Sequence, residues 1–161
     1  MSGEVVDFVR PPVRQSIDVD APPERTFETF VGRLSEWWPL DPFSSGGSER
    51  IARISVDRRV GGAVTEHWHD GTTREWGTIL AWNPPAGLTM TWNVTGHPTE
   101  VELRFLPRED GTRVELEHRG WDRLTPDELV AACALPGGYS GGAFARGWAL
   151  ILNRLQQELT Q

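Results

Sequence analysis

Two stretches in the second half of the chain alternate apolar and polar residues almost without interruption. They are "TEVELRF" at 99–105 and "RVELEH" at 113–118, and the Asp110-Gly111 pair between them is typical of a hairpin turn. Their apolar positions are Val101, Leu103, Phe105, Val114 and Leu116. Because successive side chains of a strand point to opposite faces, this pattern predicts antiparallel strands with one buried and one solvated face. The chain must therefore supply something apolar to cover the buried face.

The C-terminal end supplies that cover. From about residue 142 to 159 the apolar residues recur at helical spacing, which predicts one long amphipathic helix. Its apolar stripe consists of Phe144, Trp148, Ile151, Leu152, Leu155 and Leu159. Further strands are predicted in "VRQSIDV", "RIARISV", "AVTEHWH" and in both halves of 75–92, which the prolines of "NPPAG" separate. The expected fold is α+β of the helix-grip type, a curved antiparallel sheet of about six to seven strands wrapped around the C-terminal helix.

The length and the order of the elements predict a single domain. The chain has 161 residues, enough for one domain with a sizeable core. Residues 1–12 end in two prolines and are expected to form an N-terminal arm, followed by one domain over 13–161. Helices are predicted after "APPE" and after Thr125, which forms a capping box with Glu128. Residues 39–49 are rich in Gly, Ser and Pro and are expected to be a mobile loop.

Charge and residue usage exclude several classes of function. A formal net charge of -7 without a run of basic residues argues against nucleic acid and membrane surfaces as partners. The chain contains arginine but no lysine, which excludes Schiff-base chemistry on a lysine. The single cysteine, Cys133, cannot form an intramolecular disulfide and is expected to be a buried apolar residue. With no signal segment visible, a cytoplasmic location is expected.

Several short motifs resemble one protein family. "VDAPPERTFETFVGRLSEWWP", "GGAVTEHWHDGTTREWGTILAWNPPAGLTMTW", "GTRVELEHRGW" and "GWALILNRL" occur here in the order seen in the Hsp90-ATPase-activator-homologue family. That family belongs to the START-like (SRPBCC) helix-grip superfamily, together with polyketide cyclases and Bet v 1 proteins. The resemblance covers about residues 13–159. It implies the helix-grip fold and a hydrophobic ligand between sheet and long helix, and it leaves a chaperone contact and a homodimer open.

The eight tryptophans raise the question of a pocket. Strand alternation places Trp76, Thr78, Leu80 and Trp82 on one face of a strand and Leu88, Met90 and Trp92 on one face of the next, opposite Phe144 and Trp148 of the last helix. One interpretation is core packing without any ligand contact. The other is the wall of a cavity whose mouth lies near residues 39–49. The candidate apolar lining residues are Trp68, Trp76, Trp82, Trp92, Phe144 and Trp148.

Two polar residues alternate with apolar ones and are the more specific candidates for a functional site. His118 follows Val114 and Leu116, and Glu66 lies between Val64 and Trp68 in the same alternation. If both face the cavity, they orient a ligand or form an acid-base pair. The alternatives are a backbone hydrogen bond for His118 at a strand end and a solvated strand edge for Glu66.

No catalytic or metal-binding constellation is complete in the sequence. His67 and His69 share a strand face, but no cysteine or carboxylate pattern completes a metal site, and neither a metal nor a cofactor is expected. No serine lies in a nucleophile-elbow context. Three functions remain open: a START-like domain that binds a small hydrophobic or aromatic molecule, an enzyme of cyclase or hydrolase type that uses the same cavity, and a chaperone-interacting module. The first is favoured.

Overall fold

The computed structural model describes residues 10–93, 97–131 and 136–160 and confirms the α+β helix-grip fold. One antiparallel sheet contains seven strands in the order β1-β7-β6-β5-β4-β3-β2. The strands are β1 (Val13–Val19), β2 (Ile51–Val56), β3 (Ala63–Trp68), β4 (Thr73–Asn83), β5 (Gly87–Trp92), β6 (Thr99–Arg108) and β7 (Gly111–Arg119). The helices are α1 (Pro23–Gly32), α2 (Leu34–Trp37), α3 (Leu40–Phe43), α4 (Gly47–Arg50), α5 (Pro126–Ala131) and α6 (Ala143–Leu159), with a 3₁₀ turn at Trp121–Arg123.

Helix α6 lies against the concave face of the sheet, as the apolar stripe predicts. The inward positions of β6 and β7 are buried in strict alternation, and so is the α6 face that meets them. The buried residues of α6 include Phe144, Trp148, Ile151, Leu152, Leu155 and Leu159. One continuous core therefore joins the sheet, α1 and α6.

Strand β4 departs from the predicted alternation. Leu80 is exposed and Ile79 is buried, so the placement of Leu80 on the inner face was wrong. The pairing register of β4 shifts once where it faces β3 and once where it faces β5. At Gly77 a Cβ would lie 1.7 Å from the carbonyl oxygen of Thr91, so the neighbouring strand leaves room for glycine alone. Between residues 77 and 81 the two irregularities reverse which side chains face inward. Trp76 and Trp82 therefore both lie on the inner side of the sheet.

Each edge of the sheet forms hydrogen bonds with another part of the chain. At the β1 edge, the side chain of Gln156 on α6 donates to the carbonyl of Asp18 at 2.7 Å. At the β2 edge, the Ser35 hydroxyl accepts from the backbone N–H of Ile54 at 2.8 Å and donates to its carbonyl at 3.1 Å. Strand edges left open can pair with another chain, and these contacts satisfy part of that potential internally.

The connections refine several sequence predictions. Residues 39–49, expected as a loop, contain the short helix α3 and most of α4. The capping box is confirmed: the Thr125 N–H donates to Glu128 at 2.8 Å and the Glu128 N–H donates to Thr125 Oγ1 at 3.2 Å. Most of the expected arm, residues 1–9, and Cys133 lie outside the described residues. No helix within the described part of the chain has the length and apolar character to span a bilayer.

Candidate ligand site between the sheet and the last helix

A small apolar cavity lies between the sheet and α6. Its volume is about 30 Å³. Its walls come from α1, α2, α6 and five strands, and the lining residues are Phe30, Val31, Leu34, Trp38, Val56, Val64, Trp76, Ile79, Leu88, Met90, Trp92, Val101, Leu103 and Trp148. A cavity needs roughly 10–15 Å³ to hold one water, but an apolar one stays dry. Drug-sized ligands occupy roughly 300–1,000 Å³, so the site must expand to take one.

Four indole rings form a connected aromatic wall around this cavity. Trp38 lies 4.8 Å from Trp76, and Trp92 lies 5.1 Å from Trp148, measured between ring centroids. The two pairs meet where Trp76 approaches Trp92 at 5.9 Å and Trp38 approaches Trp148 at 6.0 Å. Tilted and edge-to-face contacts at such distances stabilise aromatic clusters beyond the area they bury. Three of these rings, those of Trp76, Trp92 and Trp148, belong to the predicted set.

Trp38 is the wall residue that sequence reasoning missed. It follows α2 and precedes Pro39, so strand alternation says nothing about it. Helical spacing from Leu34 through Trp38 was the available signal, because an i, i+4 pair lies on one face of a helix. Both residues are buried and line the cavity.

Glu66, on β3, is fully buried and makes four hydrogen bonds. Its Oε1 accepts from Trp76 Nε1 at 2.8 Å and from the backbone N–H of Ser45 at 3.1 Å. Its Oε2 accepts from Trp68 Nε1 at 2.7 Å and from the backbone N–H of Gly46 at 2.8 Å. Burial alone would raise the pKa of Glu66, but the hydrogen bonds together outweigh burial and hold the pKa below its ordinary value. Glu66 is thus a buried anion held by neutral donors, not a solvated edge residue.

His118, near the end of β7, is also fully buried. Trp148 Nε1 lies 3.0 Å from His118 Nδ1 and can only donate, so Nδ1 accepts. The imidazole proton is therefore on Nε2, which donates to Thr99 Oγ1 at 2.7 Å. Burial lowers the pKa of His118 to about 3, so the ring is neutral at physiological pH. The ring bonds to side chains rather than to a neighbouring backbone group.

Glu66 and His118 do not form the acid-base pair considered above. Each is hydrogen-bonded to its own set of partners, and within the described residues neither a hydrogen bond nor an ion pair joins them. The rings of Trp76 and Trp92 come between them in the chain of aromatic contacts. Neither residue lines the cavity. A direct proton relay from His118 to Glu66 is thus not built into this arrangement.

The remaining predicted lining residues lie beside the cavity rather than on it. Trp82 packs edge-on against Phe27 at 5.2 Å. Trp68 is half-buried, and the guanidinium groups of Arg50 and Arg74 lie over its ring at 5.4 and 5.0 Å from the ring centroid. Phe144 belongs to a second hydrophobic cluster with Trp121, Leu124 and Leu129.

His67 lies on β3 and His69 lies in the turn that follows it. His67 Nε2 bonds to the Ser55 hydroxyl at 2.7 Å, and His69 is exposed. No group of three or more residues able to hold a metal ion occurs in the part of the chain that the structure describes.

Residues 40–50, called the lid segment below, lie next to the aromatic wall. Trp38 Nε1 donates to the carbonyl of Phe43 at 2.9 Å. Glu66 holds the backbone of Ser45 and Gly46, as described above. The expectation that this stretch lies near the cavity is therefore supported by two sets of contacts.

Comparison with known proteins assigns the family. The family model described as "Activator of Hsp90 ATPase homolog 1-like protein" matches residues 20–160. The chain belongs to this family. A search of curated proteins gave no match.

Solved structures with the same fold cover nearly the whole chain. An anthrahydroquino-gamma-pyrone synthase is 33% identical, with a TM-score of 0.57, and the match covers 92% of this chain and 97% of the synthase. Protein MLL2253 from Mesorhizobium loti is 21% identical, with a TM-score of 0.64 and coverage of 92% and 96%. The Aha1 dimer from Colwellia psychrerythraea is 17% identical, with a TM-score of 0.62 and coverage of 92% and 95%. The last two likenesses show the fold alone.

Proposed function

We propose that this START-like domain binds a planar, uncharged aromatic molecule in the space between the sheet and α6. The observation that carries the proposal is the apolar cavity walled by Trp38, Trp76, Trp92 and Trp148. Indole faces stack on flat π-systems, and a site without polar lining selects against charged groups because their desolvation is costly. The ligand is accordingly expected to be aromatic over most of its surface.

The likeness to the anthrahydroquino-gamma-pyrone synthase supports a polycyclic ligand. That protein is 33% identical along almost its full length, and its name refers to a fused aromatic product. A fused tricyclic molecule would contact several indoles at once, which suits a wall whose ring centroids are about 5 to 6 Å apart. We therefore extend the proposal to polycyclic phenols and quinones.

Binding requires the cavity to grow. At about 30 Å³ it is far smaller than such a ligand, so wall residues must move apart. Two rings of the aromatic wall are linked to the lid segment by hydrogen bonds. Trp38 donates to the Phe43 carbonyl, and Trp76 donates to the carboxylate of Glu66, which also binds the lid backbone. The proposal therefore requires these two rings to move away from the cavity.

A fluorescence titration tests the proposal. The probe is 1,8-dihydroxyanthraquinone, whose absorption overlaps tryptophan emission. We expect saturable quenching at one probe per chain. Val101 lines the cavity, whereas Val114, also fully buried on the neighbouring strand, does not.

The substitution Val101→Leu fills part of the cavity and should weaken binding by about tenfold, on the scale of one or two buried methylene groups. The matched control Val114→Leu should leave the affinity unchanged if the protein stays folded. Quenching that never saturates, or an equal loss in both variants, would contradict a ligand site at this cavity.

A second candidate is an enzyme of the cyclase type that uses the same cavity, and the synthase likeness favours it. Because Glu66 and His118 are tied to other groups, such an enzyme would act mainly by holding its substrate in a reactive conformation. Liquid chromatography with mass detection would follow conversion of a linear polyketide analogue. Product formation above the rate in buffer, reduced in Val101→Leu, would support this function.

The contact with a chaperone, the homodimer and the cytoplasmic location remain predictions. Sedimentation velocity at several protein concentrations tests the homodimer, and a pull-down with purified Hsp90 tests the chaperone contact. Binding of the aromatic probe does not depend on either outcome.

A further inference from the structure

The lid segment has the internal bonding of a unit that keeps its own shape. The Ser44 hydroxyl donates to the carbonyl of Leu40 at 2.6 Å and accepts from the Gly47 N–H at 3.0 Å. The carboxylate of Asp41 accepts from the backbone N–H and the hydroxyl of Ser48. These bonds link the two short helices α3 and α4 to each other. The segment can therefore shift as a body with little loss of its internal contacts.

At the end where the segment joins β2, the backbone N–H of His69 donates to the carbonyl of Arg50 at 2.8 Å. The other polar contacts of the segment with the sheet are concentrated on one side chain. Glu66 accepts from the backbone N–H groups of Ser45 and Gly46 with one oxygen each. The same two oxygens accept from Trp76 and Trp68. One carboxylate thus links the lid segment to Trp76, a ring of the cavity wall. Movement of the lid segment away from the sheet would expose this buried charge to solvent or leave it without two of its hydrogen-bond donors.

The lid segment packs closely against the ring of Trp68. A Cβ on Gly46 would lie 2.7 Å from Trp68 Nε1 and 2.9 Å from the next ring atom. Gly46 has an ordinary right-handed backbone with φ of -88°, so the requirement for glycine here comes from this contact and not from the backbone angle. A second link is the bond from Trp38 Nε1 to the Phe43 carbonyl.

We propose that residues 40–50 form a lid that opens as one body to admit the aromatic ligand, and that Glu66 is the residue that holds it shut. The purpose of the lid rests on the proposed function, whereas its opening does not. A ligand that displaces the Trp76 ring removes one of the four donors on Glu66 and loosens the lid, so entry and opening are coupled. The lid is the point at which the rate of ligand entry is set.

Amide hydrogen exchange without ligand tests the opening itself. The Ser45 and Gly46 amides should exchange through local opening, faster than the β6 and β7 amides that report global unfolding. Glu66→Gln keeps the shape but replaces one acceptor oxygen by a donor. It should raise exchange at these two amides by about tenfold or more. Glu75→Gln is the matched control, because Glu75 is an exposed carboxylate on β4.

Gly46→Ala provides a second variant that leaves Glu66 intact. Its methyl group would collide with the Trp68 ring, so it should also raise exchange across residues 43–48. Strand amides that exchange as in the wild type would show that either variant is folded. The proposal would be overturned if Ser45 and Gly46 exchanged only with global unfolding, or if both variants left their exchange unchanged.

Stopped-flow mixing with 1,8-dihydroxyanthraquinone tests the role in entry. Both variants should bind the probe with a higher association rate than the wild type and Glu75→Gln. If the probe fails to bind any protein while exchange at Ser45 and Gly46 responds as expected, the proposed ligand is wrong but the lid stands. If the probe binds at one unchanged rate in all four proteins, the lid does not control entry.

Discussion

The buried imidazole of His118 makes folding stability depend on pH in a defined window. In the unfolded chain a histidine titrates near its ordinary pKa of about 6.5. In the folded protein burial lowers the pKa of His118 to about 3, and its ring contacts are aromatic, from Trp92, Trp121, Phe144 and Trp148. Between these two values only the unfolded state takes up a proton on this residue. Stability is therefore lost as the pH falls below about 6.5, until the folded ring itself titrates.

The size of the effect follows from the two pKa values. Between pH 7 and pH 5, protonation of the unfolded imidazole favours unfolding by about 2 kcal/mol. Other groups, among them the carboxylate of Glu66, contribute to the pH dependence at more acid pH, so a variant is needed to isolate His118. His118→Gln can still accept from Trp148 and donate to Thr99 but has no proton to gain.

Urea unfolding followed by tryptophan fluorescence at pH 7, 6 and 5 measures the difference. The free energy of unfolding of the wild type should fall by about 2 kcal/mol more than that of His118→Gln over this range. His69→Gln, which replaces an exposed histidine, should behave as the wild type. A wild type and His118→Gln that lose stability in parallel, within about 0.5 kcal/mol, would refute the assignment of a neutral, buried ring.

Three substitutions, two of them paired with a comparison variant, probe the core and the sheet edge, each followed by the free energy of unfolding in urea. Trp148→Phe keeps an aromatic ring but leaves His118 Nδ1 without a donor, and should cost about 1–3 kcal/mol; no cost would contradict the tautomer. Ser35→Ala removes both bonds to Ile54 at the sheet edge and should cost about 1–2 kcal/mol, whereas Ser48→Ala, on the exposed lid, should cost less. Val101→Leu should leave the free energy of unfolding nearly unchanged because the larger side chain enters the cavity. Val114→Leu should cost about 1–3 kcal/mol from overpacking. Equal costs in the two variants would mean that the cavity offers no usable space.

The overall fold could be predicted from local patterns because each pattern has a single periodicity. The alternation in β6 and β7 determines which face is buried, and the stripe of α6 determines what covers it. The same reasoning failed in β4, where irregular pairing on both sides of Gly77–Ala81 exchanges the faces. Nothing in the spacing of Leu80 and Ile79 signals a shift that depends on how closely the Thr91 carbonyl approaches Gly77.

The candidate site was predicted only in part for a related reason. Alternation made Glu66 and His118 candidates for the inner face, with a solvated strand edge left open for Glu66. Both side chains are buried, but alternation does not show which groups form hydrogen bonds with them. The partners of Glu66 include backbone groups about 20 residues earlier, and one of the two partners of His118 lies 30 residues later on α6. Hydrogen bonds to backbone N–H groups carry no side-chain signature in the sequence, so the lid contact of Glu66 could not be foreseen.

The proposed binding site can be tested directly through one methyl group. The chain contains two methionines, Met1 and Met90, and Met90 is buried in the cavity wall. A protein labelled with ¹³C at the methionine methyl groups therefore reports on the cavity through the Met90 signal. On addition of 1,8-dihydroxyanthraquinone we predict that the Met90 signal shifts strongly because a new aromatic ring lies against it. A saturated complex in which the Met90 signal does not move would contradict the claim that the ligand lies between the sheet and α6.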